Sequence, residues 1–490
     1  MNFRIRKSLL AVAVSGLLAA PLAHATNGYF MHGYGSKEKG MAGAGVAYNH
    51  NDAMAAATNP AAMAFVDQRI DVGLQIFAPS PRSYTVTGAP PAPNGTTLDN
   101  FCVTGGGVPI TAASVPCQPP FSVNPGKVES ENDIFLLPHF AYNHLLSDRA
   151  TMGIAIYGNG GMNTEYKGGS ATALDPTTGA IGGPFPGTYG AGTAGVNLEQ
   201  MFFNFNSSYK LSPKHALGGS LLVVGSRFRA QGLENFGGFS LDPTNFSGNR
   251  NSLAWGFGAK LGYQGEVADG VRVGISYQSK ISMGEFDEYK GLFAEGGDFD
   301  IPSTYTLGAS FDVGKTGVIV ADYQRINYTD IASLSNPIAN ISGGGCLDSL
   351  NGAILRDNTF PPLGPLPLAT GSSCFGGPNG PGFGWEDIGI FKLGFQWTAA
   401  DIDWRVGYSH SDQPIPESET LFNILAPAVN QDHVTAGMTM PVGKSQEFNL
   451  SLMYALEESV KGPNPFDGGA TQIEIEMSQI DIQAGWAWMF

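Results

Sequence analysis

The chain of 490 residues is poor in charged residues, and poorest in basic ones. Asp, Glu, Lys and Arg make up 14% of it, and 42 acidic residues against 26 basic ones give a formal net charge of −16 at pH 7. Proteins that bind nucleic acid carry the opposite excess, because phosphates attract Lys and Arg. We therefore expect no nucleic-acid partner.

Long hydrophobic runs are also missing. The most compact apolar run, residues 9–20, follows three basic residues and precedes Ala23-His24-Ala25. A basic start, a short apolar run and an A-x-A site are typical of a secretory signal peptide, so we predict that residues 1–25 are removed on export. No later run is long enough for a transmembrane helix, so any membrane crossing would need strands.

Cysteine is scarce as well. The four cysteines form two local pairs, Cys102 with Cys117 and Cys346 with Cys374, each in a segment rich in Gly and Pro. In the oxidising compartment that follows export, such pairs are expected to form disulfides that close long loops. The sequence has no Cys-x-x-Cys motif and no Cys/His spacing typical of zinc, so we expect neither a metal nor a cofactor.

The sequence is rich in glycine and aromatic residues, and apolar residues recur at every second position in many segments. There are 67 Gly, 30 Phe and 17 Tyr, and segments such as 252–264 alternate apolar residues with small or polar ones. Such alternation predicts strands with one apolar face, in a secreted all-β protein or in an outer-membrane barrel. Fourteen strands are predicted, at 69–77, 133–143, 150–158, 197–209, 216–230, 252–264, 271–284, 303–312, 317–327, 387–399, 402–412, 431–440, 446–458 and 475–490.

The lengths of the connections between these strands distinguish an outer-membrane barrel from a secreted all-β protein. Long connections alternate strictly with six short ones, which is the pattern of outer-membrane barrels with short periplasmic turns and long outer loops. The chain also ends in Trp486-Ala487-Trp488-Met489-Phe490, with the terminal aromatic on the apolar face. We therefore predict an all-β fold over residues 67–490: a 14-stranded antiparallel transmembrane β-barrel in the bacterial outer membrane.

Residues 26–66 are unlike the rest of the chain. They are rich in Gly and Ala, and Asp52 and Pro60 stand where they would cap and stop a short helix. Fourteen strands enclose more space than side chains alone fill, and less than an open porin. We predict that this segment is a compact plug inside the barrel lumen.

Three motifs in this segment resemble the N-terminal hatch of the FadL-type (FadL/TodX) outer-membrane transporters of long-chain fatty acids and other hydrophobic compounds. The hatch residues that the resemblance implies are Asn27, Gly28, Tyr29, Gly40, Met41, Gly43, Gly45, Asn59, Pro60 and Ala61. The end of the third predicted strand, Gly158-Asn159-Gly160-Gly161, resembles that family's kinked strand. Glycines there would weaken strand pairing and favour a bulge.

The resemblance implies a monomeric channel and not an enzyme. Hydrophobic small molecules would be captured by outer loops and released sideways at the kinked strand after the hatch moves, and the barrel would contact outer-membrane lipid and lipopolysaccharide. Two long connections rich in apolar residues are the expected capture loops, because exposed apolar patches usually bind ligands. Their candidate residues are Leu233, Phe236, Phe239, Leu241, Phe286, Tyr289, Leu292 and Phe293. Loops that simply pack on themselves remain the alternative.

The chemistry of the cargo is open at this point. A fatty-acid carboxylate would need a cation in a dry pocket, and Lys260, Lys280 and Arg405 are candidates on predicted lumen faces. An alkane or an aromatic hydrocarbon would need none. A substrate-specific aqueous porin is the alternative function, and an outer-membrane enzyme acting on lipids is a weaker one because no Ser/His/Asp constellation stands out.

Overall fold

The computed structural model describes residues 27–90, 121–174, 181–343, 346 and 371–490. The predicted signal peptide and the pair Cys102 and Cys117 lie outside the described residues.

Fourteen strands form one closed antiparallel barrel. They are β1 (Arg69–Ala78), β2 (Phe135–Leu145), β3 (Ala150–Asn163), β4 (Gly195–Ser212), β5 (His215–Gln231), β6 (Ser252–Ala268), β7 (Val271–Gln278), β8 (Thr304–Val313), β9 (Gly317–Ile326), β10 (Ile388–Ala399), β11 (Ile402–Ser411), β12 (Asp432–Val442), β13 (Gln446–Pro463) and β14 (Thr471–Met489). Each strand pairs with the next, and β14 pairs with β1, which closes the cylinder. The predicted fold is confirmed.

The alternation in sequence becomes two faces of the wall. On β6, Leu253, Trp255 and Phe257 point outward and are 57–69% exposed, whereas Ser252 and Ala254 between them are buried. An apolar outer face and a small or polar inner face are what a barrel in a bilayer requires.

The connections also alternate as predicted. Six turns of two to four residues join alternate strand pairs, at 146–149, 213–214, 269–270, 314–316, 400–401 and 443–445. The longer connections lie at the opposite end, and they contain short elements that the sequence pattern did not predict. The short strands are Arg82–Gly88, Ser122–Val123, Gly126–Glu129, Ser170–Leu174, Ile181–Pro186 and Ser282–Met283. The predicted strand 271–284 is wrong in its second half, because β7 ends at Gln278 and Ser282–Met283 pairs separately with β6.

Short helical turns fill much of the remaining length of these connections. They are Glu234–Phe239, Pro243–Asn245, Asp287–Tyr289, Ala294–Gly297, Tyr328–Asp330, Ala332–Ser335, Ala339–Gly343, Glu417–Glu419, Thr420–Asn423 and Pro465–Asp467. In the described part of the chain, no helix has the length and apolar character needed to cross a membrane.

Residues 27–66, here called the N-terminal segment, pack against the inner face of the barrel wall. The segment contains a helical turn at Ser36–Lys39 and 3-10 turns at Ala53–Ala57 and Pro60–Phe65. Asp52 caps the second turn by accepting a hydrogen bond from the Met54 N–H at 2.8 Å, as the sequence predicted. Nearly every residue of the segment is buried.

Candidate functional site

Inward side chains of the wall hydrogen-bond the backbone of the N-terminal segment. Asp322 on β9 accepts from the N–H groups of Gly45 and Val46 at 2.7 and 2.9 Å, and Thr435 on β12 accepts from Ala42 at 2.9 Å. Asn143, Asn204, Lys260, Gln264 and Lys392 donate to carbonyl groups of the same segment. Because a buried backbone group without a partner is costly, these contacts fix the segment on several sides.

Two buried ion pairs fix the turn Ser36–Lys39. Lys39 lies 2.5 Å from Asp481 on β14, and both side chains are at most 1% exposed. Lys37 lies 2.5 Å from Glu447 on β13, whose carboxylate also pairs with Arg69 on β1. Breaking a buried pair leaves an uncompensated charge, so this part of the segment resists displacement.

The segment also approaches the wall closely at glycines. A Cβ on Gly40 would lie 3.0 Å from the Cα of Gly437 on β12, and a Cβ on Gly437 would lie 3.0 Å from the Cα of Gly40. The backbone of the N-terminal segment therefore contacts the backbone of β12 directly at these two glycines. This contact explains why glycine is frequent both in the segment and on the inner face of the strands.

The pairing of the wall is interrupted between β2 and β3. Their pairing ends at Phe140 and Ile156, although β3 continues to Asn163 in contact with β4. The register of β3 against β4 shifts between Gly158 and Gly160, which leaves Asn159 as the extra residue of a bulge. Beyond this bulge the facing edges of β2 and β3 do not pair. We call this opening the β2–β3 gap.

The tip of the N-terminal segment, residues 27–34, occupies the free edge of β3. Phe30 forms an antiparallel bridge with Gly160, and the Met31 N–H donates to the Asn159 carbonyl at 2.6 Å. A Cβ on Gly160 would lie 1.3 Å from the Tyr29 carbonyl oxygen, so a side chain at this position is incompatible with the contact. The tip thus supplies the partner that β2 does not provide along this part of β3.

An aromatic cluster joins the tip to the long connections. The Tyr29 ring lies 5.9 Å from Tyr328, 6.1 Å from Trp385 and 6.3 Å from Phe299, measured between ring centroids. The Tyr328 hydroxyl donates to the Asn27 carbonyl at 2.5 Å. Movement of the tip would therefore disturb loops that cover the barrel, and the reverse also holds.

A cavity lies beside the β2–β3 gap, and we call it the gap cavity. It contains about 310 Å³ of unfilled space, counting the part open to solvent. It is lined by Gly28, Tyr29, Phe77, Arg82, Phe135, Met162, Asn163, Trp385, Ala426, Pro427, Ala428 and Met477. Aromatic and thioether side chains dominate the lining, and Arg82 and Asn163 supply a polar end.

A second cavity, the lumen cavity, lies against the other side of the tip. Its unfilled space is about 470 Å³, and its lining is mostly polar. It is lined by Phe30, Met31, Gly33, Tyr34, Glu38, Gly43, Ala57, Thr58, Lys260, Ser276, Gln278, Thr304, Thr306, Gln324 and Lys392. Burial raises the pKa of Glu38 to about 7, although a hydrogen bond from Thr58 opposes the shift.

The predicted hatch and exit residues come together in part. Asn27, Gly28 and Tyr29 lie at the β2–β3 gap with Gly158, Asn159, Gly160 and Gly161. Gly40, Met41, Gly43, Gly45, Asn59, Pro60 and Ala61 instead lie against β5, β6 and β9 to β12.

The three residues predicted to bind a fatty-acid carboxylate lie in different environments. Lys260 is buried and lines the lumen cavity. Arg405 is buried but donates to Gln396 and Thr439, both at 2.7 Å, and it lines neither cavity. The placement of Lys280 in the lumen is wrong, because β7 has already ended and its exposed side chain pairs with Asp300 at 2.7 Å.

The expectation of exposed apolar capture loops is wrong for most of the predicted residues. Leu233, Phe236, Phe286, Tyr289 and Phe293 are at most 5% exposed, Phe239 and Leu292 are partly buried, and Leu241 is 39% exposed. The rings pack on one another and on the wall, as in the 4.7 Å contact between Phe228 and Phe293. The loop residues therefore pack on one another, because this removes their apolar surface from water and is energetically favoured over exposure. In the same region Cys346 and Cys374 form a disulfide that packs against Phe239.

The sequence analysis missed most residues of the gap cavity. Phe77 and Phe135 carried a usable signal, since each is a large apolar residue in the inward row of its strand, where neighbours such as Asp71 and Gln75 are polar. Trp385 gave no such signal, because it lies in a long connection far along the chain from Tyr29.

Comparisons with known proteins agree with this geometry. Residues 16–465 match the model of the family described as outer membrane protein transport protein (OMPP1/FadL/TodX). The fold is similar to the toluene transporter TodX of Pseudomonas putida, with 17% identity, a TM-score of 0.59, and 94% of this chain and 99% of that chain covered. The toluene transporter TbuX of Ralstonia pickettii has 16% identity and a TM-score of 0.54, covering 94% and 99%. A FadL homologue of Pseudomonas aeruginosa has 15% identity and a TM-score of 0.59, covering 94% and 100%.

No curated protein matches the chain in sequence. At these identities the solved structures establish the fold, whereas the family match extends over most of the chain. The chain therefore belongs to the OMPP1/FadL/TodX family of outer membrane transport proteins.

Proposed function

We propose that this outer-membrane protein is a passive channel for small hydrophobic molecules, with the N-terminal segment as its hatch. The tip, residues 27–34, closes a lateral exit at the β2–β3 gap, and cargo leaves there into the bilayer. The observation that carries the proposal is the bridge between Phe30 and Gly160, at the place where pairing between β2 and β3 has ended. A hatch bound to a free strand edge can leave without breaking the barrel ladder.

The lining of the gap cavity favours apolar cargo. Tyr29, Phe77, Phe135 and Trp385 offer ring faces and edges, and methionines adapt to varied apolar shapes. An apolar lining of this kind matches a monoaromatic hydrocarbon or part of a longer hydrocarbon chain in chemistry, and displacement of the tip would enlarge the space available to it.

Sideways release suits such cargo because it avoids water. Moving apolar surface into water costs about 25 cal/mol per Å². An opening between β2 and β3 leads from the gap cavity to hydrocarbon, so the cargo remains in apolar surroundings throughout. Transfer into the bilayer is then downhill and needs no energy-coupling partner.

The contacts of the N-terminal segment divide it into a fixed part and a movable part. The ion pair of Lys39 with Asp481 and that of Lys37 with Glu447 hold the turn Ser36–Lys39. Among the described residues the tip makes no ion pair, and it is held by backbone hydrogen bonds, ring contacts and side-chain hydrogen bonds such as that from Tyr328 to Asn27, each of which contributes about 1 kcal/mol. We therefore propose that cargo displaces the tip alone.

The solved relatives are consistent with this class of cargo. TodX and TbuX are described as toluene transporters, and the third structure as a FadL homologue. An aqueous porin is the rival function, and it is disfavoured by a lumen that residues 27–66 occupy.

The proposal is tested by filling the gap cavity. Phe77→Trp adds volume to its lining, whereas Ile76→Trp, the matched control, makes a similar change on the outer face of the same strand. Cells that lack other channels for hydrophobic compounds should take up labelled toluene through the wild type and the control, and more slowly through Phe77→Trp. Equal uptake by all three, at equal amounts of folded barrel, would contradict the proposed path.

Planar-bilayer recordings separate the rival function. A plugged hydrophobic channel should show little steady ion conductance. A large and continuous conductance through the wild type would favour the porin instead.

A further inference from the structure

The tip also contacts a second part of the wall, on β11 and β12. Phe30 and Met31 contact β3, whereas the ring of the next residue, His32, stacks on that of His433 on β12. The ring centroids are 4.4 Å apart and the ring planes differ by 22°. Nε2 of His32 lies 3.0 Å from the hydroxyl oxygen of Ser409, which pairs with His433 across β11 and β12. We call His32 and His433 the histidine pair.

The contacts of the histidine pair suit two neutral rings. Both residues are fully buried. The side-chain amide nitrogen of Asn27 lies 3.5 Å from Nδ1 of His32, and an amide nitrogen only donates, so in this arrangement Nδ1 accepts. An imidazolium ring has no acceptor. Neither ring nitrogen of His433 makes a well-aligned hydrogen bond, and the backbone of Gln431 exerts only a weak attraction.

The cations around the pair oppose its protonation. Lys39 of the N-terminal segment and Lys392 on β10 act on His32, and Lys392 also acts on His433. Burial, with these neighbours in addition, holds the pKa of His32 well below its usual value of 6.5. A proton on either ring would therefore add a positive charge to a buried and already cationic region.

The neighbouring carboxylates are engaged elsewhere. Asp432 is the one that acts on His433, and it lies on the outer face of β12. Each of these carboxylates already has a partner: Asp432 with His410, Asp481 with Lys39, and Glu38 with Thr58. A buried charge without a partner of its own is costly, so the bound tip excludes protons from the histidine pair.

Release of the tip removes that restriction. An imidazole in water takes up a proton near pH 6.5, so below this pH the released tip binds more protons than the bound tip. Tip binding is therefore unaffected well above pH 6.5 and weakens by about tenfold per histidine for each pH unit below it.

We propose that proton uptake by the histidine pair releases the tip from the wall and so opens the lateral exit in acid surroundings. The inference rests on the proposed function and adds a control on its hatch. Phe30 and Met31 hold the tip at the exit, and the histidine pair makes that hold depend on pH.

The test is hydrogen exchange of the purified protein in lipid nanodiscs at pH 7.5 and pH 5.5. It follows the amides of residues 27–31 and compares wild type with the double variant His32→Gln/His433→Gln at each pH. Intrinsic exchange rates cancel in this comparison because these five residues are the same in both proteins. Relative exchange in the wild type should rise on acidification by at least about tenfold, and by up to about a hundredfold when both rings take up a proton.

Two further variants complete the test. His433→Phe keeps a ring on which His32 can stack and removes one titrating group, so its response should fall to about tenfold. The control is His144→Gln. His144 is a partly exposed residue of β2 that is bound to Tyr142 at 3.1 Å, and its loss should leave the wild-type response unchanged.

Uptake of an uncharged hydrophobic dye into liposomes that contain the protein separates the inference from the proposed function. It should rise on acidification in the wild type and not in the double variant. A wild-type exchange response no larger than that of the double variant would overturn the role of the histidine pair and leave the channel proposal standing. Acid-dependent exchange of the tip with unchanged dye uptake would instead show that the tip is not the hatch, which overturns the proposed function.

Discussion

The carbonyl oxygen of Tyr29 accepts a hydrogen bond from the N–H of Gly161 at 3.1 Å, although 132 residues separate the two in sequence. The contact gives β3 a partner beyond the point where its pairing with β2 ends. Backbone hydrogen bonds of this kind contribute about 1 kcal/mol each, and the buried Tyr29 and Phe30 rings contribute about 2 to 3 kcal/mol each. These contributions together bind the tip to the edge of β3.

The close approach at Gly160 can be tested by a single methyl group. Gly160→Ala places a Cβ where the Tyr29 carbonyl oxygen lies, 1.3 Å away, so the tip must leave β3. We expect faster hydrogen exchange in residues 27–34 and faster uptake of a hydrophobic dye. Gly219→Ala is the control, because its Cβ would meet Leu261 at an ordinary 3.6 Å. Unchanged exchange in Gly160→Ala would show that the tip does not rest on β3 in solution.

Much of this architecture was predictable because a barrel wall repeats one local rule. The strands alternate an apolar and a polar face, as in Leu253 to Phe257, and short turns alternate with long connections along the chain. The N-terminal segment stood out from the wall for a different reason: the glycine-rich residues 40–45 match neither face of a strand. Asp52 and Pro60 then marked the turn that the structure contains.

The gap cavity was not predictable, because it depends on contacts between distant parts of the chain. Trp385 reaches Tyr29 across more than 300 residues, and no local pattern anticipates that contact. Lys280 shows the limit of periodicity, since one early strand end takes the residue out of the alternation. The loop phenylalanines show another limit, because apolar composition alone does not distinguish an exposed groove from a packed cap.

The ion pair of Lys39 with Asp481 should govern the stability of the N-terminal segment. Lys39→Met leaves Asp481 buried without its counter-charge, which costs about 3 to 5 kcal/mol. We expect much faster hydrogen exchange in residues 36–58 while the barrel stays intact, as judged by its heat-dependent mobility on a gel. Lys127→Met removes a half-exposed pair with Glu476 and should change exchange little, since exposed pairs contribute at most about 1 kcal/mol. Similar effects of the two variants would argue against a dry lumen around Lys39.

The hydrogen bond from Tyr328 to Asn27 should couple a long connection to the tip. Tyr328→Phe removes the hydroxyl that donates at 2.5 Å and leaves the ring contacts, so the tip should lose about 1 kcal/mol. Exchange of residues 27–34 should then rise several-fold, with a parallel increase in uptake of a hydrophobic dye. Tyr277→Phe, on the outer face of β7, is the matched control. An increase in uptake without any change in exchange would separate uptake from tip movement.

Glu38 should make the N-terminal segment less stable as the pH rises. Burial raises its pKa from 4.5 to about 7, so the folded protein binds more protons than the unfolded chain between these values. Stability therefore falls through this window as the pH rises and changes no further above it. Glu38→Gln keeps an acceptor for Thr58 and removes the titration.

The measurement is the ratio of hydrogen-exchange protection in residues 36–58 between wild type and Glu38→Gln at each pH, because intrinsic exchange rates cancel in that ratio. Each unit of pKa shift corresponds to a factor of about ten, so the variant should gain about tenfold or more in relative protection between pH 5 and pH 8. Lys260 and Lys392, which line the same cavity, favour the ionised carboxylate and limit the gain. A ratio that stays constant with pH would mean that Glu38 is solvated, and that the lumen cavity opens to water.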